Sequence, residues 1–125
     1  MIKILLLTDY SQESERRLLN GFVKYADTQG GCICYPMSHL ISQEKDNSKE
    51  IIKLAKKFKV DAILGLWHNI NVEEAKKLNI PIFLRTYKKV YDEFPMLTGY
   101  YKEFGGYAAN FFLNQNFDHY AFIGM

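Results

Sequence analysis

Apolar positions along the chain alternate between two spacings. Short continuous apolar runs, typical of strands buried on both faces, lie at 2–8, 32–37, 61–67 and 80–84, with a brief fifth at 96–99. Between them, apolar residues recur at helical spacing over 12–29, about 48–58, 71–78 and 103–114. Strand–helix–strand alternation requires right-handed crossovers. The pattern therefore predicts an α/β fold with a parallel, doubly wound, flavodoxin-like or Rossmann-like sheet and helices on both faces.

Polar residues at capping positions mark where the helices should begin. Ser11 is placed to cap the first helix. Asn47 with Glu50, and Asn71 with Glu74, have the spacing of a capping box. The residues that should face the core are Leu18, Leu19, Phe22, Val23 and Ala26 on the first helix, Ile51, Leu54, Ala55 and Phe58 on the second, and Phe104, Ala108, Phe111 and Phe112 on the last.

The final stretch, 119–125, is apolar and predicts a sixth, buried strand. Because the sequence stops on this strand with no polar tail, we expect the chain to be one part of a larger protein. The strand would lie beside the fifth, giving the order 2-1-3-4-5-6, or would pair with another chain.

Size and charge exclude several classes of protein. The chain has 125 residues and a mass of 14.6 kDa, enough for one domain with a single core. A net charge of +2 is too small to indicate a nucleic-acid-binding face, and the lysines at 53, 56, 57 and 59 are typical of a solvated helix. The sequence contains neither a signal peptide nor a run of about 20 apolar residues, so we expect a cytoplasmic protein without membrane contact.

The residue patterns of common enzymes and cofactor sites are absent from the sequence. The loop after the first strand, 8–13, contains no glycine, which disfavours dinucleotide, flavin and P-loop sites. Cys32 and Cys34 suit one face of a strand as reduced thiols, and His39, His68 and His119 lack metal-ligand spacing. A Gly-x-Ser-x-Gly elbow is also missing. We therefore expect no cofactor, no metal and no catalytic activity.

Residues that could bind a ligand follow the strands, where open parallel sheets hold their ligands. They are Asp9 and Tyr10, residues 37–39, Trp67 and His68, and residues 85–87, including Arg85. Aromatic rings can cover the apolar face of a sugar, while a carboxylate and a guanidinium can bind adjacent hydroxyls. The alternative is structural: Trp67 packs under a loop and Arg85 pairs with a neighbour such as Asp9.

Two segments resemble lac-repressor-type sensor domains, which share the type I periplasmic-binding-protein fold. One pattern of that family is similar to residues 60–65 followed by Asn79-Ile80-Pro81-Ile82-Phe83. A second is similar to Gly105, Ala109 and Leu113 followed by residues 121–124. The opening strand, Arg16 and Gly21 resemble the sensor half of bacterial xylose-operon regulators. The chain departs from the pattern at Tyr101-Lys102, where an Asp is usual, and at Asn116-Phe117, where Gly-His is usual.

The resemblance implies that residues 1–118 form the first lobe of a two-lobe effector-binding domain and that 119–125 begin the second lobe. It implies a transcriptional regulator whose arabinose-regulator-type DNA-binding region, and hence its contact with operator DNA, lies outside this chain. The effector would be a small sugar, such as xylose or another pentose, bound by Asp9, Tyr10, Trp67, His68 and Arg85. Half of a cleft should bind sugar weakly.

Two other functions are compatible with the sequence. A stand-alone flavodoxin-like module, or a small enzyme on that fold, would carry its own ligand or cofactor. An interaction module would form a homodimer through the Phe-rich last helix, although Phe111, Phe112 and Phe117 are more simply explained as residues of the core.

Overall fold

The computed structural model describes residues 1–38, 46–86 and 89–123. Strands and helices alternate along the chain, as the apolar pattern predicts. In order they are β1 (Ile2–Leu7), α1 (Glu13–Gln29), β2 (Cys32–Met37), α2 (Ser48–Phe58), β3 (Ala62–Gly65), α3 (Val72–Lys76), β4 (Ile82–Leu84) and α4 (Tyr101–Leu113). The strands form one parallel sheet in the order β2-β1-β3-β4, which confirms the α/β class.

The main hydrophobic core lies on one face of the sheet. Leu5 is level with Ile63 in the sheet, and Ile63 is level with Ile82, so the three side chains lie on this face. They are buried together with Ile51 and Ala55 of α2. Leu54 and Phe58 are half-buried, and Phe58 stacks on Tyr35 of β2 with ring centroids 4.8 Å apart. The inward face predicted for the second helix is therefore confirmed.

The opposite face is covered by α1, and less completely. Leu18, Leu19, Phe22 and Ala26 are half-buried, whereas Val23, which we expected to face the core, is exposed. The most buried residue of α1 is polar: Glu15. The thiols of Cys32 and Cys34 lie on this face and are half-buried, and burial raises the pKa of Cys34 to about 11. At neutral pH this thiol is protonated and unreactive.

The predicted caps differ in outcome. Asn71 caps α3, because its Oδ1 accepts a hydrogen bond from the Glu74 backbone N–H at 3.2 Å. Asn47 precedes α2 but makes no capping hydrogen bond through its side chain within the described residues; the Asp46 carboxylate accepts from Ser48 N instead. Ser11 does not cap α1, because the N-cap position is Gln12, one residue later; the Ser11 hydroxyl instead donates to Asp9.

The C-terminal third differs most from expectation. The predicted fifth strand is reduced to a single parallel bridge between Leu84 and Met96 in the described residues. The predicted buried sixth strand does not form over 119–123, the described part of that stretch, which is irregular and exposed. Every residue from 97 to 123 is exposed, including the four residues of the last helix that we expected to face the core. Apolar side chains stabilise a strand or helix only when they pack against another element, and these residues have no such partner in the described chain.

None of the helices in the described residues is long and apolar enough to cross a membrane.

Gly65 allows two strands to end close together. Its φ of +129° is strained for any residue with a side chain, and a Cβ added here would lie 2.0 Å from the Leu7 carbonyl oxygen. That oxygen accepts a hydrogen bond from Leu66 N at 2.9 Å, and the Gly65 carbonyl accepts one from Arg85 N at 2.8 Å. This glycine therefore fixes how β1, β3 and β4 meet at the carboxyl edge of the sheet.

We predict that Gly65→Ala lowers the free energy of unfolding by at least about 3 kcal/mol, because it combines backbone strain with a backbone clash. Urea unfolding followed by circular dichroism measures the change. Gly21→Ala is the matched control: it lies within α1, an added Cβ meets no described atom within 4 Å, and it should stabilise by about 0.5–1 kcal/mol. Equal effects of the two substitutions would contradict the structural role of Gly65.

Candidate functional site

The carboxyl ends of the strands bring several polar side chains to one edge of the sheet. The loop after β1 is held in a tight turn by Asp9. Its Oδ1 accepts hydrogen bonds from the Ser11 backbone N–H at 3.0 Å and the Ser11 hydroxyl at 2.6 Å, and its Oδ2 accepts from Gln12 Nε2 at 3.3 Å. The hydrogen bonds from Ser11 lower the pKa of Asp9. The carboxylate is therefore a structural part of the turn as well as an exposed charge.

Arg16 closes the same loop from α1. Its guanidinium donates a hydrogen bond from Nη1 to the Tyr10 carbonyl oxygen at 2.6 Å. The Tyr10 side chain is left partly exposed beside this contact. The loop that carries Asp9 and Tyr10 is thus held by Arg16 of α1 and by Gln12, the residue before α1. These contacts fix the position of the loop at the carboxyl edge of the sheet.

Glu15 and Arg85 form an ion pair across this edge. Glu15 comes from the first turn of α1 and is 2% exposed; Arg85 directly follows β4, and its side chain is 23% exposed. Burial raises the pKa of Glu15, the Arg85 charge opposes that rise, and the nearby negative charge of Asp9 adds to it. The pair joins the first helix to the last strand of the sheet.

A cavity of about 100 Å³ opens beside the ion pair. Its lining residues are Gln12, Ser14, Glu15, Leu66, Arg85, Thr86, Leu97, Thr98 and Tyr101. Two buried side-chain oxygens near the pair, Glu15 Oε2 and Thr8 Oγ1, make no hydrogen bond of good geometry among the described residues. The Thr8 hydroxyl is nevertheless close enough to lower the pKa of Glu15 in part, so the two atoms are neighbours. Buried polar atoms are nearly always paired, so an unpaired carboxylate oxygen at a cavity marks a place where a ligand or water would bind.

The cavity continues into a wider groove along α1. This groove has a volume of about 450 Å³ and includes Arg17, Leu18 and Gly99 in addition to residues of the cavity. Because it is open on one side, a ligand lying in it would keep part of its surface in solvent. The arrangement resembles half of a cleft.

Trp67 and His68 lie behind the cavity. Trp67 is buried within the hydrophobic core, and no described residue accepts a hydrogen bond from its indole N–H. His68 is also buried: its Nδ1 is 2.9 Å from Thr86 Oγ1, and its carbonyl oxygen accepts a hydrogen bond from the Tyr91 hydroxyl at 2.9 Å. The structure thus places Asp9, Tyr10 and Arg85 at the edge, and of these Arg85 lines the cavity. His68 does not line the cavity but contacts Thr86, which does.

Two residues of the site were missed from the sequence. Glu15 was overlooked, although a carboxylate three and four residues before Leu18 and Leu19 lies on the inward face of the helix. Thr86 was included only as part of the range after β4. As the structural alternative for Arg85, the sequence suggested an ion pair with a neighbour such as Asp9. Arg85 does form an ion pair, but its partner is Glu15. His39 and Tyr87, which belonged to the predicted strand-end residues, lie outside the described residues.

The charged groups of the site do not form a metal centre. Among residues 1–38, 46–86 and 89–123, no three His, Cys, Asp or Glu side chains are grouped closely enough to hold a metal ion. What the edge offers instead is a guanidinium, an unpaired carboxylate oxygen, several hydroxyls and exposed tyrosine rings. This set suits a neutral polyhydroxylated ligand.

No protein-family model matches the sequence, and a search of curated proteins finds no similar one.

We predict that the stability difference between the wild type and Glu15→Gln depends on pH. Because the folded-state pKa of Glu15 is raised, its contribution is fully present below the usual glutamate pKa of about 4.3 and is lost as pH rises through the folded pKa. The wild type should therefore lose stability relative to Glu15→Gln as pH rises above about 4.3, the usual glutamate value. Urea unfolding of both proteins across this range measures the difference.

Asp9→Asn provides the control of opposite sign. The pKa of Asp9 is lowered, so its contribution is present above the usual aspartate pKa of about 3.9 and is lost as pH falls through the folded pKa. The wild type should gain stability relative to Asp9→Asn as pH rises from about 2 to 5. A Glu15→Gln difference that is flat with pH, or that changes in the same direction as the Asp9 difference, would contradict the assigned environment of Glu15.

Proposed function

We propose that this chain is one lobe of a sugar-sensing domain, and that the effector is a pentose such as xylose bound at the carboxyl edge of the sheet. The observation that carries the proposal is the buried Glu15–Arg85 pair: both residues line a cavity, and the second carboxylate oxygen of Glu15 has no hydrogen bond of good geometry among the described residues. Open α/β sheets hold their ligands at this edge. The similarity to lac-repressor-type sensors supports the same location.

The chemistry of the edge matches adjacent hydroxyl groups. Arg85 retains guanidinium N–H donors beyond those that its carboxylate partner can accept, and Glu15 Oε2 is an acceptor. A sugar presenting one hydroxyl to each would pair both groups without breaking the ion pair. His68 would hold the Thr86 hydroxyl in position, since the two side chains are hydrogen-bonded.

The aromatic contribution differs from the one expected from the sequence. Trp67 is buried in the core, so the ring that can cover the C–H face of a sugar in the cavity is that of Tyr101, which is exposed and lines both the cavity and the groove. Tyr10 is also exposed, but it lines neither of them. The proposed sugar contacts are therefore Arg85, Glu15 and Tyr101, with Asp9 fixing the loop that carries Tyr10 and Trp67 and His68 supporting the site from within.

Weak binding by this chain alone is part of the proposal. The open side of the groove would be closed by a second lobe, and the closure of two lobes on an effector is a hinge motion. A sugar that binds the closed state more tightly would shift the conformational equilibrium toward that state. The shift would change the activity of an attached DNA-binding region. One lobe supplies only part of the contacts, so we expect a dissociation constant in the millimolar range, about −4 kcal/mol.

A small enzyme is the second candidate, and one hydrogen bond favours it. His68 Nδ1 and Thr86 Oγ1 are 2.9 Å apart at the cavity, the geometry of a general base beside a hydroxyl nucleophile. Hydrolysis of an activated ester such as p-nitrophenyl acetate, abolished by Thr86→Val, would favour this candidate. Hydrolysis that Thr86→Val leaves unchanged, or none above the buffer rate, would remove it.

The sugar proposal is tested by titrating the ¹⁵N-labelled chain with xylose up to about 100 mM. We predict that amide shifts change at Gln12, Ser14, Arg85 and Thr98, because these residues surround the cavity. Arg85→Lys keeps the charge but loses the planar donors, so binding should weaken by roughly tenfold, the cost of about one charge-assisted hydrogen bond.

Lys53→Ala, on the exposed side of α2, is the control and should bind like the wild type. Mannitol at equal concentration controls for general effects of a polyol on the spectrum. The proposal fails if xylose leaves the four amides unchanged, or if Arg85→Lys binds as tightly as the wild type.

A further inference from the structure

The last helix is apolar and exposed on every side. Phe111 is 61% exposed, and Phe104, Phe112 and Phe117 are exposed to a similar degree. Tyr107 and Leu113 extend this surface. A helix of 13 residues with glycine at 105 and 106 is only marginally stable by itself in water. We expect a partner surface that covers α4.

The sheet has an uncovered area of matching character. Leu6, Leu64 and Phe83 form one row across β1, β3 and β4, on the face that α1 covers. Burial falls along this row: Leu6 is fully buried, Leu64 is half-buried and Phe83 is 45% exposed. Pro36 of β2, which is level with Leu6, is also exposed, so the first helix covers mainly the middle of this face, over β1. The part formed by Ala62, Leu64 and Phe83 is hereafter the open face.

We propose that α4 of one copy of this chain packs on the open face of a second copy, and that the exchange is reciprocal. The two surfaces are complementary in character, since both are apolar and both are incompletely covered in the single chain. A parallel sheet of this kind needs helices on both faces. The exchanged helix would lie beside α1 and complete the second layer.

The position of α4 favours a second copy over the chain's own sheet. Tyr101, its first residue, lies at the carboxyl edge beside the cavity, and every residue that follows, to 123, is exposed. In this conformation α4 extends away from the open face of its own chain. Residues 97–100 form a short connection between the Met96 bridge and α4. Short connections before an exposed element are where chains exchange identical segments.

The area that would be buried is large enough for a stable dimer. A phenylalanine has about 150–250 Å² of surface, so covering the exposed half of four rings removes on the order of 400 Å² per helix. The open face itself exposes on the order of 200 Å², so two exchanged helices and the surfaces that receive them would bury on the order of 1,200 Å², the lower end of the range for specific interfaces.

Light scattering coupled to size-exclusion chromatography tests the proposal on the chain as it stands. We expect a mass twice the chain mass of 14.6 kDa at micromolar concentration. Phe111→Glu in the helix and Phe83→Glu on the open face should each convert the dimer to a monomer, raising its dissociation constant at least 100-fold. An equimolar mixture of the two variants should recover a dimer, because one exchanged contact remains intact.

Val90→Glu is the control, since Val90 is exposed and lies outside both surfaces, and this variant should remain dimeric. Circular dichroism of each variant checks that the sheet is folded, and the mixing experiment gives a positive signal that unfolded variants cannot produce. A monomeric wild type would overturn the proposal, whether α4 then packs on its own sheet or stays exposed. A dimer that survives Phe83→Glu would also overturn it, since it would show that α4 packs on another α4.

Discussion

The site depends on the ion pair between Glu15 and Arg85. A carboxylate that is 2% exposed is costly to ionise, and the guanidinium offsets this cost only in part, because the pKa of Glu15 remains raised. One oxygen of the carboxylate is engaged by Arg85, and the other is buried near the Thr8 hydroxyl without a hydrogen bond of good geometry among the described residues. A buried carboxylate of this kind, at the carboxyl edge of a parallel sheet, is more typical of a binding site than of a purely structural contact.

The stabilising core and the candidate site are located on different parts of the sheet. The face that packs on α2 and α3 contains the buried core, and Gly65 fixes how the strands end above it. The ion pair lies at the edge where those strands end and connects α1 to the residue after β4. The opposite face is only half covered, so the apolar surfaces of Phe83 and α4 remain available for packing against another surface. One cause, an incomplete second layer, explains both the open face and the exposed last helix.

Local patterns predicted the features that depend on local chemistry. The apolar runs located β1 to β4, and Asn71 with Glu74 located α3, because spacing within a few residues decides these elements. Other expectations were wrong for physical reasons. Ser11 lies in the Asp9 turn, one residue before the N-cap position that Gln12 occupies; Val23 lies at the margin of the half-covered face; and the last helix and residues 119–123 have no neighbouring surface in the described chain. The partner of Arg85 is 70 residues away in sequence, and only the fold reveals it.

The most direct test of the central claim, that the cavity beside Glu15 and Arg85 is a sugar site, is a crystal structure of the chain grown with about 100 mM xylose. The account predicts density for one pentose in the cavity, with one hydroxyl within hydrogen-bonding distance of Glu15 Oε2 and another of the Arg85 guanidinium. Crystals in which this edge is free of lattice contacts, and in which the cavity contains only water or the sugar binds elsewhere, would contradict it.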